Sequence, residues 1–320
     1  MEIVKLKPAF QNYLWGGTKL KKLYNKKVDL DKVAESWELS NHEDGQSIVA
    51  SGTYEGLKFG GYLKKIGRKR LGTNCKQFDD FPVLIKFIDA KTSLSVQVHP
   101  DDEYALRIEK EHGKTELWYV MDCEEDSFLY YGVNRDISKE EFKQRIEDNT
   151  VLEVLNKIPV KKGDAFFIEA GTIHAIGAGI VICEIQQNSN KTYRIYDFGR
   201  VDKNGNTREL HIDKAIDVVK LKKIDEHINI VDKFEKFDNY TKRKLSSCKY
   251  FTVFKYDVLK YCTINVDESS FNSVIALEGD GRLTNKEFTM DFSKGDSIFI
   301  PANTGEIKIE GRCQFILTKI

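Results

Sequence analysis

From Ser93 to His99 the chain alternates: Leu94, Val96 and Val98 fall on one face of an extended segment, and Ser93, Ser95, Gln97 and His99 on the other. A strand with one wholly apolar face and one face of hydroxyl, amide and imidazole groups is not packed in core on both sides. Its polar face is expected to line a wet pocket. Gln97 and His99, at i and i+2, can point at one ion.

Two further segments bring matching chemistry. Glu116 begins a β-like run to Asp122, and His174 sits in a Gly-flanked turn before another strand. One Gln, two His and one Glu from separate strands suit a mononuclear metal. Zinc takes imidazole nitrogen and carboxylate oxygen, and catalytic zinc keeps one position open. Ordinary hydrogen-bonded histidines fit the same spacing.

Elsewhere the pattern reads as strands with helical excursions. Tyr13-Leu14-Trp15-Gly16-Gly17 is a tight turn, and Ala34 to Ser40 a strand with Ser36, Glu38 and Ser40 on one face; both read as structural. Residues 59–71 read as a basic helix with a solvated face. Phe81 to Ile88 is an apolar strand interrupted by Lys86, which either snorkels at an edge or meets an anionic partner. Pro100 is expected to open a helix closed near Gly113. Ser138 to Ile158 reads as helices, with a capping box at Ser138 and Glu141. Gly179 to Gln186 is a strand with Glu184 and Gln186 on one face. Residues 208–221 have helical periodicity, and Lys222 to Ser247 reads as a connection. From Lys249 on, short alternating strands recur. Lys294-Gly295-Asp296 through Ala302 echoes Lys162-Gly163-Asp164 through Ala170 without a following histidine.

Ser93 through Asp102, Gly113-Lys114-Thr115-Glu116-Leu117-Trp118-Tyr119, Gly171-Thr172-Ile173-His174-Ala175-Ile176-Gly177, and Gln186 through Asp197 resemble, in order and spacing, the signatures of type I mannose-6-phosphate isomerases (phosphomannose isomerases) in their short bacterial-type form. Glu169 departs from the proline favoured before Ala-Gly-Thr, but removes no ligand. The resemblance implies a mainly β fold, two cupin-like (jelly-roll) barrels with helical excursions. Residues 1–235 would form the metal-binding barrel, with insertions at about 138–158 and 208–221, and 236–320 a metal-free one. It implies one Zn2+ per chain on Gln97, His99, Glu116 and His174, and interconversion of mannose 6-phosphate and fructose 6-phosphate through an enediol. Ser95, Lys86 and Lys114 are the implied phosphate-side residues. Arg194 is carried over as the catalytic arginine, and Lys114 and Glu184 are candidate charge or proton carriers.

Composition bounds the alternatives. The 50 basic and 50 acidic residues cancel, which gives no global attraction to nucleic acid or an anionic membrane. No apolar run approaches a membrane span, and the six cysteines form no CxxC pair. A cytoplasmic monomer or homodimer with free thiols and a small-molecule substrate is expected. Two other readings share the pocket: a cupin enzyme with another substrate, including a non-haem Fe(II) oxygenase, and a sugar-phosphate sensor without turnover.

Overall fold

The computed structural model describes residues 3–201, 204–224 and 234–320. Among these, the strands form a six-stranded, a five-stranded and an eleven-stranded sheet, all paired antiparallel. The fold is mainly β, as expected for paired cupin-type barrels.

The first two sheets face each other across the site. At the centre of the six-stranded sheet, Val83–Ala90, Ile180–Gln187 and Glu116–Cys123 lie side by side. All are buried along nearly their whole length, which explains their dense apolar runs. Register sets Lys86, Glu184 and Trp118 in one row and Gln186 beside Glu116. In the five-stranded sheet, Gln97 pairs with both His174 and Arg194. Directly opposed residues share a face, so each row presents its polar groups together. The apolar partners point outward: Val96, Val98, Tyr193 and Ile195 pack with Phe142, Ile146 and Ala215 from the helices Lys139–Glu147 and Ile212–Val218. These excursions cover the back of the five-stranded sheet.

The eleven-stranded sheet curls around its own apolar cluster, which includes Val274, Ile307 and Phe315. Tyr261–Val266 shows the alternation plainly, with Cys262, Ile264 and Val266 inside. The long strand Asn272–Thr284 changes partners midway, after a register shift between Ala276 and Glu278. Gly279 sits there at φ 71°, and a Cβ would stand 2.1 Å from the Arg312 carbonyl, so only glycine permits this corner. The chain's first strand, Val4–Lys7, joins this sheet by pairing with Ser297–Ile300.

Several local expectations change. Of residues 93–99 only Val96–Val98 is ladder strand. Pro100 lies ahead of the helix Asp102–Ile108, because Asp101 is its cap and accepts from the Tyr104 N–H. That helix ends at Glu109, with Lys110 rather than Gly113 in the left-handed region. The Ser138 cap holds, but helix stops early and Leu155–Pro159 is a strand pairing with Phe128–Val133. The basic helix of 59–71 splits at Gly67 into Phe59–Ile66 and a short 3-10 turn. Within the expected connection, Tyr240–Ser247 is a full strand; 225–233 lie outside the described residues.

Candidate active site

His99 follows its strand directly, and His174 opens the strand His174–Ile176. Each ring donates from Nδ1 to a backbone carbonyl at 2.8 Å, His99 to Lys191 and His174 to Thr172. These bonds select the tautomer and leave the Nε2 lone pairs free. Both Nε2 atoms face Glu116, at 3.7 Å from Oε2 for His99 and 3.4 Å from Oε1 for His174. The donor atoms of the three residues lie within 4.8 Å of one another, in full burial.

His99 Nε2 and both Glu116 oxygens are buried without an aligned hydrogen bond, although Lys114 Nζ makes an ion pair with Oε2 at 3.2 Å. Buried, unsatisfied acceptors converging on one point are costly. They suit a cation: a tetrahedral ion with bonds of about 2.1 Å separates its ligands by about 3.4 Å. Burial holds His99 well below its ordinary pKa and takes His174 down to about 4, so both stay neutral, as ligation requires. Burial pushes Glu116 up to about 8 against the pull of Lys114, a shift that a divalent cation would reverse. Gln97 stands beside them, its Nε2 3.4 Å from His174 Nε2; turning the amide over offers oxygen instead.

Above these donors lies a cavity of about 310 Å³. Gln97, Ser95, Lys86, Lys114, Glu184 and Arg194 all line it, so the structure brings the sequence-predicted residues together. Its deep wall is an ion lattice. Lys86 Nζ stands 3.6 Å from Glu184 and 3.5 Å from Glu35, over the Trp37 ring, and Lys114 Nζ is 4.0 Å from Glu184. Lys86 thus faces the cavity with anionic partners rather than snorkelling. Burial alone would raise the Glu184 carboxyl, but Lys114, Lys86 and the Trp118 N–H outweigh it and hold it below its ordinary value. Arg194 donates to the Glu209 carbonyl at 2.8 Å, while its buried Nε has no hydrogen bond.

Sequence reasoning missed Glu35, Tyr13, Trp15, Lys191 and Arg208 in this lining. Glu35 accepts from Trp37 Nε1 at 2.6 Å and lies on the opposite face of its strand from Glu38. Its signal was Lys86, a lone cation in an apolar strand that demanded an anion nearby. Arg208 grips Asp197 through two bonds of 2.8 and 2.6 Å. A larger hollow of about 760 Å³, lined by Asn41, Lys58, Lys64 and Arg68 among others, contains none of these residues.

Comparison with known proteins agrees with this geometry. A family model for the phosphomannose isomerase type I catalytic domain matches residues 3–130, and one for the mannose-6-phosphate isomerase cupin domain matches 241–320. The mannose-6-phosphate isomerase ManA of Bacillus subtilis is 38% identical over 98% of each chain. A crystal structure of the Bacillus subtilis mannose 6-phosphate isomerase superposes with a TM-score of 0.92 at 34% identity, covering 100% of both chains. A mannose 6-phosphate isomerase bound with zinc and yttrium shares the fold, at TM-score 0.79 and 18% identity over 99% of both chains.

Proposed function

The chain belongs to the type I mannose-6-phosphate isomerases, and from that premise we propose that it interconverts D-mannose 6-phosphate and D-fructose 6-phosphate through an enediol, with one zinc ion on Gln97, His99, Glu116 and His174. The observation that carries this reading is the meeting of buried His99 and Glu116 acceptors that lack an aligned hydrogen bond with a cavity walled by buried lysines. A divalent cation held there supplies Lewis-acid stabilisation of negative charge on the sugar oxygens.

The remaining work falls to side chains. Lys114 is buried, which disfavours its charge, yet Glu116 and Glu184 outweigh that and keep it an ammonium. It stands as a fixed positive charge for the reacting oxygens or the phosphate. Glu184, held as a carboxylate by Lys114 and Lys86, is the candidate to carry the proton between adjacent carbons. Arg194 orients the substrate and offers its free Nε–H to developing charge. Ser95 and Lys86 join Lys114 as phosphate-side groups, and binding the remote phosphate supplies orientation at the reacting carbons. Because Lys86 already pairs with Glu35 and Glu184, phosphate bound there competes with both.

The division at residues 235 and 236 belongs to the same reading; the carboxy-terminal cluster around Val274, Ile307 and Phe315 supports it, while a larger cluster joins residues from both sides of the division. A cytoplasmic setting, which six free cysteines suit, belongs to the reading as well. Among the described residues no helix is long and apolar enough to cross a membrane.

A panel of sugar phosphates tests the substrate. Mannose 6-phosphate should yield fructose 6-phosphate, and unphosphorylated mannose should react far more slowly. Turnover that ignores the phosphate, or a different preferred sugar, would overturn the proposal in favour of another cupin chemistry.

A further inference from the structure

One hydrogen-bonded chain reaches the site from the carboxy-terminal barrel. Residues 112–115, between the helix Asp102–Ile108 and the strand Glu116–Cys123, have no regular structure, yet they carry Lys114 and lead into Glu116. Three successive backbone N–H groups are pinned: Gly113 to Asp102 Oδ1 at 3.0 Å, Lys114 to the Pro100 carbonyl at 3.0 Å, and Thr115 to Gln187 Oε1 at 2.8 Å. Buried Gln187 turns its amide N–H to Asp102 Oδ1 at 2.8 Å. The other Asp102 oxygen accepts from the Tyr250 hydroxyl at 2.7 Å. Tyr250 lies in the turn between the strands Tyr240–Ser247 and Thr252–Val258. Gly113 packs so closely that a Cβ would stand 2.4 Å from the Asp101 backbone, which leaves this segment little slack.

We propose that Tyr250 is a positioning residue for the active site: acting through Asp102 and Gln187, it fixes the Gly113–Thr115 segment and hence the stance of Lys114 against Glu116 and Glu184. The second barrel thereby does more than pack. Asp102 accepts from Tyr250, Gln187 and Gly113 at once, with both oxygens engaged; this favours the carboxylate, and such charge-assisted bonds are the strong ones. Small displacements of a charged group in a preorganised site lower turnover more than they lower binding. The kinetic part of this proposal rests on the isomerase reading; the structural part does not.

Tyr250→Phe removes one hydroxyl and keeps the ring beside Phe78, at 6.4 Å between centroids. Hydrogen exchange at residues 113–115 is expected to quicken by about tenfold. Meanwhile kcat should fall by about three- to tenfold, with KM little changed. In an Asp102→Asn background, adding Tyr250→Phe should cost little more, because the link is already weakened. Wild-type exchange together with wild-type kcat overturns the proposal, even if thermal stability drops. So do losses that simply add in the double variant. If the wild-type protein fails to isomerise mannose 6-phosphate, the substrate reading falls, and the exchange measurement alone decides whether Tyr250 holds the segment.

Discussion

Each proposed ligand histidine gives its Nδ1 proton to a backbone carbonyl, so the nitrogen that faces Glu116 stays a lone pair without help from another side chain. Replacing His174 with Ala should abolish metal binding and lower kcat by at least about 10²-fold, read by elemental analysis beside the assay. Wild-type turnover in a metal-free variant would contradict the assignment. Arg194→Ala should behave differently. Its bond runs to the Glu209 carbonyl, so metal should remain while kcat falls by about 10²- to 10³-fold. An unchanged rate would remove Arg194 from the reaction. Much of the cavity was legible at this scale, because Gln97, His99, Lys86 and Glu184 interrupt apolar strands where polarity needs a reason. Glu35 was legible only as an unnamed anion that Lys86 calls for. On its strand the alternation gathers Ser36, Glu38 and Ser40 on one face and leaves Glu35 with Trp37 and Leu39 on the other, and only the pairing of Trp37 with Lys86 brings Glu35 to that lysine.

Among the elements, period-two patterning located the buried strands, and the Ser138 cap located a helix start. The failures have physical causes. Leu155–Pro159 was absorbed into the preceding helix because a short apolar run carries no period of its own; its partner strand decides the matter. Tyr240–Ser247 is rich in lysine and largely half-exposed, so its ladder with Thr252–Val258 leaves little hydrophobic trace. The loop that supplies Asn190 and Lys191 to the cavity is held by Glu111, which accepts from the Asn190 N–H at 3.1 Å and pairs with Lys191 at 3.0 Å. Burial raises the Glu111 carboxyl, but His42, the Asn190 N–H and Lys191 outweigh it and bring it down to about 2. A folded value below the ordinary 4.5 means that its stabilisation is complete above about pH 4.5 and is lost as pH falls toward about 2. Urea midpoints of wild type and Glu111→Gln should therefore differ most near pH 6 to 7 and converge only as pH approaches about 2. A gap that stays constant with pH would show that Glu111 does not act as a charged anchor.

The whole molecule couples its barrels through a shared apolar core, in which Phe59, Phe81 and Phe87 join Phe251, Phe271 and Phe299, and through specific polar contacts. Buried Lys26 bridges Glu38 at 2.7 Å and the Gly295 carbonyl at 2.6 Å, and the Ser297 hydroxyl donates to the Glu38 carbonyl. Gly295 belongs to the repeated lysine-glycine-aspartate turn, and a Cβ there would lie 2.2 Å from the Tyr24 carbonyl. At the equivalent Gly163 a Cβ would have open space, and that turn meets the second barrel through polar contacts instead, its carbonyl accepting from Arg243 at 2.9 Å and Lys162 pairing with Glu278 at 2.6 Å. The repeat was visible in the sequence as a turn; its second use, docking one barrel on the other, depends on distant residues and was not. The proposed cation on His99, Glu116 and His174 predicts that the cavity turns over sugar phosphate only when a metal is bound. The most direct measurement is fructose 6-phosphate formed from mannose 6-phosphate before chelation, after chelation, and after zinc is restored. Activity that disappears with the metal and returns with zinc is the predicted result. Full activity in protein shown by elemental analysis to be metal-free, or none in folded, zinc-loaded protein, would contradict it.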